Sequence, residues 1–163
     1  MELRVDISRI VPGEPLTLDL NGTVRLPDGL NHSVSLTGTL TRESGVYTAG
    51  RYLTEGRFTA EIRTVCALCL AEAMHSINGA FNEIFSREKD EKVFSEDWQF
   101  TDNIIDLSQA VAANIIAALP MRITCSEDCK GLCPVCGIDR NNSECTCSIQ
   151  FGGFNNGSDL PER

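Results

Sequence analysis

Hydrophobic and polar positions alternate through the first 85 residues. Leu16, Leu18 and Leu20 are interleaved with Thr17 and Asp19. Val34, Leu36, Gly38 and Leu40 fall on one side of a pleat, and Ser33, Ser35, Thr37, Thr39 and Thr41 on the other. Phe58, Ala60 and Ile62 alternate with Thr59, Glu61 and Arg63, while Ile77, Gly79, Phe81, Glu83 and Phe85 share one further face. A period of two belongs to half-buried antiparallel strands. Breaks at Pro27-Asp28-Gly29, Ser44-Gly45 and Glu55-Gly56 carry turn chemistry. Strands at this spacing predict an antiparallel sheet or an open barrel.

The period then changes. Leu107, Val111, Ile115 and Leu119 recur every four residues, widened by Ala110 and Ala118, and Pro120 stops the run. Asp106 and Gln109, three apart, read as a capping box that starts a helix over 106–119. Its stripe is expected to pack on the sheet. Between sheet and helix, residues 87–103 form a charged connector, read as a solvated loop. Its aromatic residues Phe94, Trp98 and Phe100 offer two alternatives, a docking segment or packing back onto the sheet. The fold expected is α+β: a β-rich body with its helix over 1–120, a cysteine-rich zinc-binding segment over 121–148, and a flexible Gly/Asn tail over 149–163.

Composition narrows the function. In 163 residues there are 14 Lys and Arg against 23 Asp and Glu, a formal charge of −9. Non-specific binding to a phosphate backbone needs Lys and Arg to displace counterions, so this balance argues against DNA and against a broad grip on bare RNA. No run of 18 apolar residues is available to cross a membrane. The opening Met-Glu-Leu-Arg-Val-Asp lacks an apolar signal segment, which leads to the expectation of a cytoplasmic, reducing setting. There, paired cysteines read as metal ligands or redox groups before disulfides.

Eight cysteines fall into four local pairs: Cys66 and Cys69, Cys125 and Cys129, Cys133 and Cys136, Cys145 and Cys147. In Cys133-Pro134-Val135-Cys136-Gly137 the proline restricts the turn and the glycine permits a positive φ, so backbone amides can face the first thiolate. Zinc accepts four thiolates in a tetrahedron. The nine-residue step from Cys136 to Cys145 closes cheaply, so Cys133, Cys136, Cys145 and Cys147 are taken as one tetrathiolate zinc site. Other pairings stay open. Cys66 and Cys69 could join Cys133 and Cys136, Cys125 and Cys129 could replace the Cys145 pair, and all eight could hold two ions. A redox role for Cys66 and Cys69 lacks a helix N-terminus behind the pair, and Glu72 would disfavour a thiolate.

Other chemistry is sparse. His32 falls in a turn region; His75, near the first cysteine pair, reads as a surface residue, with an outer-sphere group or an occasional ligand as the alternative. No phosphate-cradling loop and no nucleophile elbow occurs, so an enzyme is not expected.

In order, Cys66-Ala-Leu-Cys69-Leu70, the strand ending at Phe85, the helix from Asp106-Leu107-Ser108 to Ala118-Leu119-Pro120-Met121, and Cys125-Ser-Glu-Asp-Cys129-Lys-Gly-Leu-Cys133-Pro-Val-Cys136-Gly137 with Cys145-Thr-Cys147 resemble the cysteine-rich branch of the YceD family. These are the large ribosomal RNA subunit accumulation proteins. The resemblance implies a part in synthesis, processing or accumulation of large-subunit ribosomal RNA. Joined to the acidic charge, it leads to the expectation of ribosomal proteins or assembly factors as partners, with ribosomal RNA reached indirectly. Two competing functions are carried alongside. One is a redox-responsive zinc protein or an adaptor unrelated to ribosomes. The other is direct RNA binding through Arg51, Arg57 and Arg63.

Overall fold

The computed structural model describes residues 3–44, 50–87 and 97–147. Phe94, most of the charged connector, Gly45 of the second turn and the Gly/Asn tail lie outside the described residues. The described elements are β1 (Arg4–Asp6), β2 (Pro15–Arg25), β3 (Asn31–Arg42), β4 (Arg51–Val65), β5 (Glu72–Arg87), β6 (Trp98–Phe100), β7 (Ile104–Asp106) and α1 (Ser108–Ala118). Strands β2 to β5 form an antiparallel meander, and β6 joins its edge parallel to β5. Strands β1 and β7 pair separately, with Val5 opposite Ile105. Among the described residues no helix is long and apolar enough to cross a membrane.

The alternation carries through to burial. Val34, Leu36, Leu40, Phe58, Ala60, Ile62, Ile77, Phe81 and Phe85 all point into one core, whereas Leu16 at the start of β2 stays exposed. The expected turn at Glu55-Gly56 is instead the middle of β4. Gly56 lies opposite Gly38, and a Cβ on Gly38 would stand 2.2 Å from the Glu55 carbonyl oxygen. The glycines mark close backbone approach inside a strand pair rather than a chain reversal. One strand further, the ring of Phe58 lies on Gly79, where a Cβ would meet Cε1 at 2.4 Å. These gaps let the sheet coil. Helix α1 packs against both β5 and β2, which are separated in the sheet by β3 and β4.

Leu107, Ala110, Val111 and Ile115 form the buried stripe of α1, with Leu119 half-buried, but Ala118 is exposed and is not part of that face. The capping box does not form. Leu107 takes the cap position without a side-chain hydrogen bond. Asp106 ends β7, and its carboxylate accepts from the Ser108 N–H (2.9 Å) and from Arg4 Nε (3.0 Å). The strand claims the aspartate for β1–β7 pairing, and its short side chain then reaches the amide two residues on.

The described end of the connector is built into the sheet. Asp97 receives Arg51 Nε at 2.9 Å and Nη2 at 3.2 Å, and also the Ser86 hydroxyl. Trp98 Nε1 donates to Glu83 (2.7 Å), whose other oxygen accepts from Asn114 of α1. Phe100 packs edge-on against Tyr52. The solvated-loop reading therefore fails for 97–100, because these aromatics bury on the sheet edge and their polar atoms find partners. His32 also departs from expectation. It lies in β3 and is 2 % exposed, its Nδ1 accepts from the Arg63 N–H (3.3 Å), and its Nε2 lies 3.0 Å from the Asp28 carboxylate. With Nδ1 an acceptor, Nε2 carries the proton that Asp28 receives. His75 is half-buried in β5 opposite Ile62.

Candidate metal centres

Strand β4 ends at Val65, and the chain reverses into β5 through Cys66-Ala67-Leu68-Cys69-Leu70-Ala71. The Cys66 N–H donates to the Ala71 carbonyl (2.7 Å) and the Leu70 N–H to the Cys66 carbonyl (3.0 Å). Leu70 adopts φ +61, a conformation that costs a branched residue energy and curls Cys69 back beside Cys66. The Leu68 N–H points at Cys66 Sγ from 3.4 Å. A tight hairpin thus becomes a knuckle presenting two sulfurs.

The segment after α1 closes over this knuckle. Ala67 N–H donates to the Ile123 carbonyl and Leu132 N–H to the Leu68 carbonyl, both across 2.9 Å. Cys66, Cys69 and Ala73 form a small buried cluster with Leu68, Ile123, Cys129 and Leu132 packed around it. Cys125 and Cys129 come to rest against the first pair, with Cys69 Sγ 3.5 Å from Cys125 Sγ and Cys66 Sγ 3.7 Å from Cys129 Sγ.

The second group is local. Cys133 N–H donates to the Ile138 carbonyl and Gly137 N–H to the Cys133 carbonyl, both at 2.8 Å, with Gly137 at φ +75. Cys133 is buried, Cys136 exposed, and Cys145 and Cys147 half-buried. Between the pairs, Asp139 organises the loop. Its carboxylate accepts from the Asn141 N–H (2.9 Å), Asn141 Nδ2 (2.8 Å) and Asn142 Nδ2 (2.7 Å).

The sequence-predicted set Cys133, Cys136, Cys145 and Cys147 is brought together, and so is Cys66, Cys69, Cys125 and Cys129. In each group the four sulfurs all lie within 4.8 Å of one another, and all eight thiols are free. The pairings of Cys133 and Cys136 with either of the other two candidate pairs do not form. A tetrahedron with metal–sulfur bonds of about 2.3 Å has sulfurs about 3.8 Å apart, and a disulfide would need about 2 Å. The observed separations fit the tetrahedron, so each group could hold a metal ion.

Electrostatics agree. Burial opposes the Cys66 thiolate, but backbone N–H groups of Cys69, Leu68 and Cys125 outweigh it and lower the pKa to about 6. The Cys136 and Val135 amides lower Cys133 to about 6 in the same way. Their neighbours go the other way. Despite the Ala71 amide, burial and the adjoining thiols push Cys69 up to about 12. The Cys136 sulfur and burial push Cys147 up to about 12. One sulfur per group is favoured as a thiolate by backbone amides, whereas Cys69 and Cys147 would follow only with a cation among the sulfurs.

Asp139 and Asn141 escaped the sequence reading, although Asp-x-Asn-Asn is an Asx-turn pattern that could have drawn notice. The Arg51, Arg57 and Arg63 face is broken: Arg51 is held by Asp97 and Glu43, and Arg63 Nε lies 3.4 Å from Glu72.

A sequence profile described as "Large ribosomal RNA subunit accumulation protein YceD" matches residues 54–153, from β4 through both cysteine groups. The chain belongs to the YceD family. Two relatives from strains of Mycobacterium tuberculosis and one from Mycobacterium bovis, all described as uncharacterized proteins, are 31% identical to this YceD-family chain over 90 residues. The matched stretch is 53% of this chain and 44% of each relative, so the chain spans under half the length of the curated relatives it matches. No solved structure matches the chain.

Proposed function

We propose that this YceD-family chain is a non-enzymatic factor supporting the accumulation of large-subunit ribosomal RNA, and that it holds two structural zinc ions. The family match across both cysteine groups carries the first part. The two sets of four converging sulfurs carry the second, since an all-thiolate tetrahedron suits zinc. Each ion would pull four thiolates onto one point. The Cys66 centre would clamp the segment after α1 to the β4–β5 turn, and the Cys133 centre would shape the loop that follows.

Each filled site carries −2, so the formal charge moves from −9 to about −13. Such a molecule works through basic ribosomal proteins or assembly factors in the cytoplasm, with RNA reached through them. Depleting the protein in its host should lower large-subunit ribosomal RNA relative to the small-subunit RNA. An unchanged ratio would overturn the assignment. Native mass spectrometry of the purified chain should show two zinc ions.

A redox-responsive reading is favoured by the exposure of Cys125 and Cys136. Hydrogen peroxide taking two electrons from a thiolate pair, with two protons from solvent, would form a disulfide and two waters and release the metal. Zinc retained in mild peroxide removes that reading.

A further inference from the structure

Asn141 belongs to the loop of one centre and touches a sulfur of the other. It lies between Cys136 and Cys145, yet its Nδ2 is 3.5 Å from Sγ of Cys129, in the Cys66 group. The amide orientation is determined by its surroundings. Asn141 Oδ1 accepts from the Lys130 N–H (2.8 Å), and Nδ2 donates to the Asp139 carboxylate (2.8 Å). Turned over, the amide would set oxygen against carboxylate and nitrogen against an N–H donor. A second link runs through the backbone, where Arg140 N–H donates to the Gly131 carbonyl (3.0 Å), between Cys129 and Cys133.

We infer that Asn141 makes the two centres cooperative: a metal in the Cys133 group orders the 137–145 loop, and that loop holds an N–H donor on Cys129 of the Cys66 group. The inference rests on the metal reading above and goes beyond it. An N–H donated to a ligating sulfur spreads its negative charge and fixes its direction toward the metal. The donor is in place only while the loop is ordered, so filling one centre raises the affinity of the other. Linkage makes the effect mutual.

The test uses the full chain, zinc ions alone, a competing chelator and native mass spectrometry. Wild-type chain should pass from empty to two-ion form with the one-ion form below its statistical share. Asn141→Ala should let the one-ion form accumulate. Asn141→Asp keeps the size and an acceptor for Lys130 but removes the donor and sets an oxygen against Asp139, and it should lose cooperativity as fully as alanine. Cys136→Ser, which disables the Cys133 centre, should weaken zinc at the Cys66 centre about tenfold, and clearly less in the Asn141→Asp background. With cobalt in both sites, either Asn141 variant should shift the thiolate charge-transfer band. Independent filling of two sites in the wild type, or cooperativity retained in both variants, overturns the coupling and leaves the metal reading standing. A wild-type chain that binds no zinc overturns both.

Discussion

The backbone N–H of Leu132 donates to the carbonyl of Leu68 across 2.9 Å. This bond stitches the segment between the two cysteine groups onto the β4–β5 knuckle. Beside it, Gly131 sits at φ +67, and a Cβ there would lie 3.0 Å from the same Leu68 oxygen.

Gly131→Ala should therefore loosen the cysteine-rich segment. A left-handed backbone and a tight contact at one position cost about 1–2 kcal/mol. Hydrogen exchange should rise across 123–133 and in the 66–71 turn, while β2 and β3 keep their protection. Unchanged exchange in the turn would mean that the stitch does not hold the two parts together.

Cys133→Ser should cost one zinc ion and leave the other bound, though more weakly. Because the binding energy of a structural metal is also folding energy, 133–147 should become protease-sensitive while the sheet and α1 stay intact. Cys66→Ser should have the wider effect, since Cys66 closes the β4–β5 hairpin as well as facing Cys129. Limited proteolysis with mass spectrometry distinguishes the two patterns.

Gly79→Ala should destabilise the sheet without touching either centre. The added methyl would stand 2.4 Å from Phe58 Cε1, so the ring must move within a packed core. Overpacking of this kind costs about 1–3 kcal/mol, readable as a lower urea midpoint at unchanged slope. Metal content should stay at the wild-type value.

Asp106 links strand, helix start and Arg4, and gives a pH signature. Partial burial works against its carboxylate, but hydrogen bonds from Ser108 and Arg4 outweigh burial and lower its pKa. A folded pKa below the unfolded value of about 3.9 means that the stabilisation is complete above that pH and fades as pH falls through the folded value. Asp106→Asn should thus lower Tm modestly at pH 7, and its deficit against wild type should shrink as the pH falls below about 4. A deficit that stays constant with pH would place the role of Asp106 in shape rather than charge.

Much of the body was legible because its signals are local. The period of two from Val34 to Leu40 and from Phe58 to Ile62 became buried faces, with Gly38 alone half-buried among them, since successive side chains on a pleat must point opposite ways. Glu55-Gly56 misled because glycine marks both turns and close strand approach, and only the presence of Gly38 across the pair decides which. His32 misled for a related reason. Close to Pro27-Asp28-Gly29 it reads as part of a turn, whereas it belongs to β3, where the Arg63 amide and the Asp28 carboxylate make its burial tolerable.

By itself the sequence determined the main strands of the meander, the helix stripe and the four cysteine pairs, and it favoured grouping Cys133, Cys136, Cys145 and Cys147, because those cysteines are joined by short loops. It could not say which pair meets Cys66 and Cys69. Their partners lie 56 and 63 residues away, and closure entropy changes too slowly over such lengths to choose among candidates. The tertiary structure chose. The coiled sheet seats α1, the chain leaving α1 arrives at the β4–β5 turn, and Cys125 and Cys129 are the first sulfurs it delivers there.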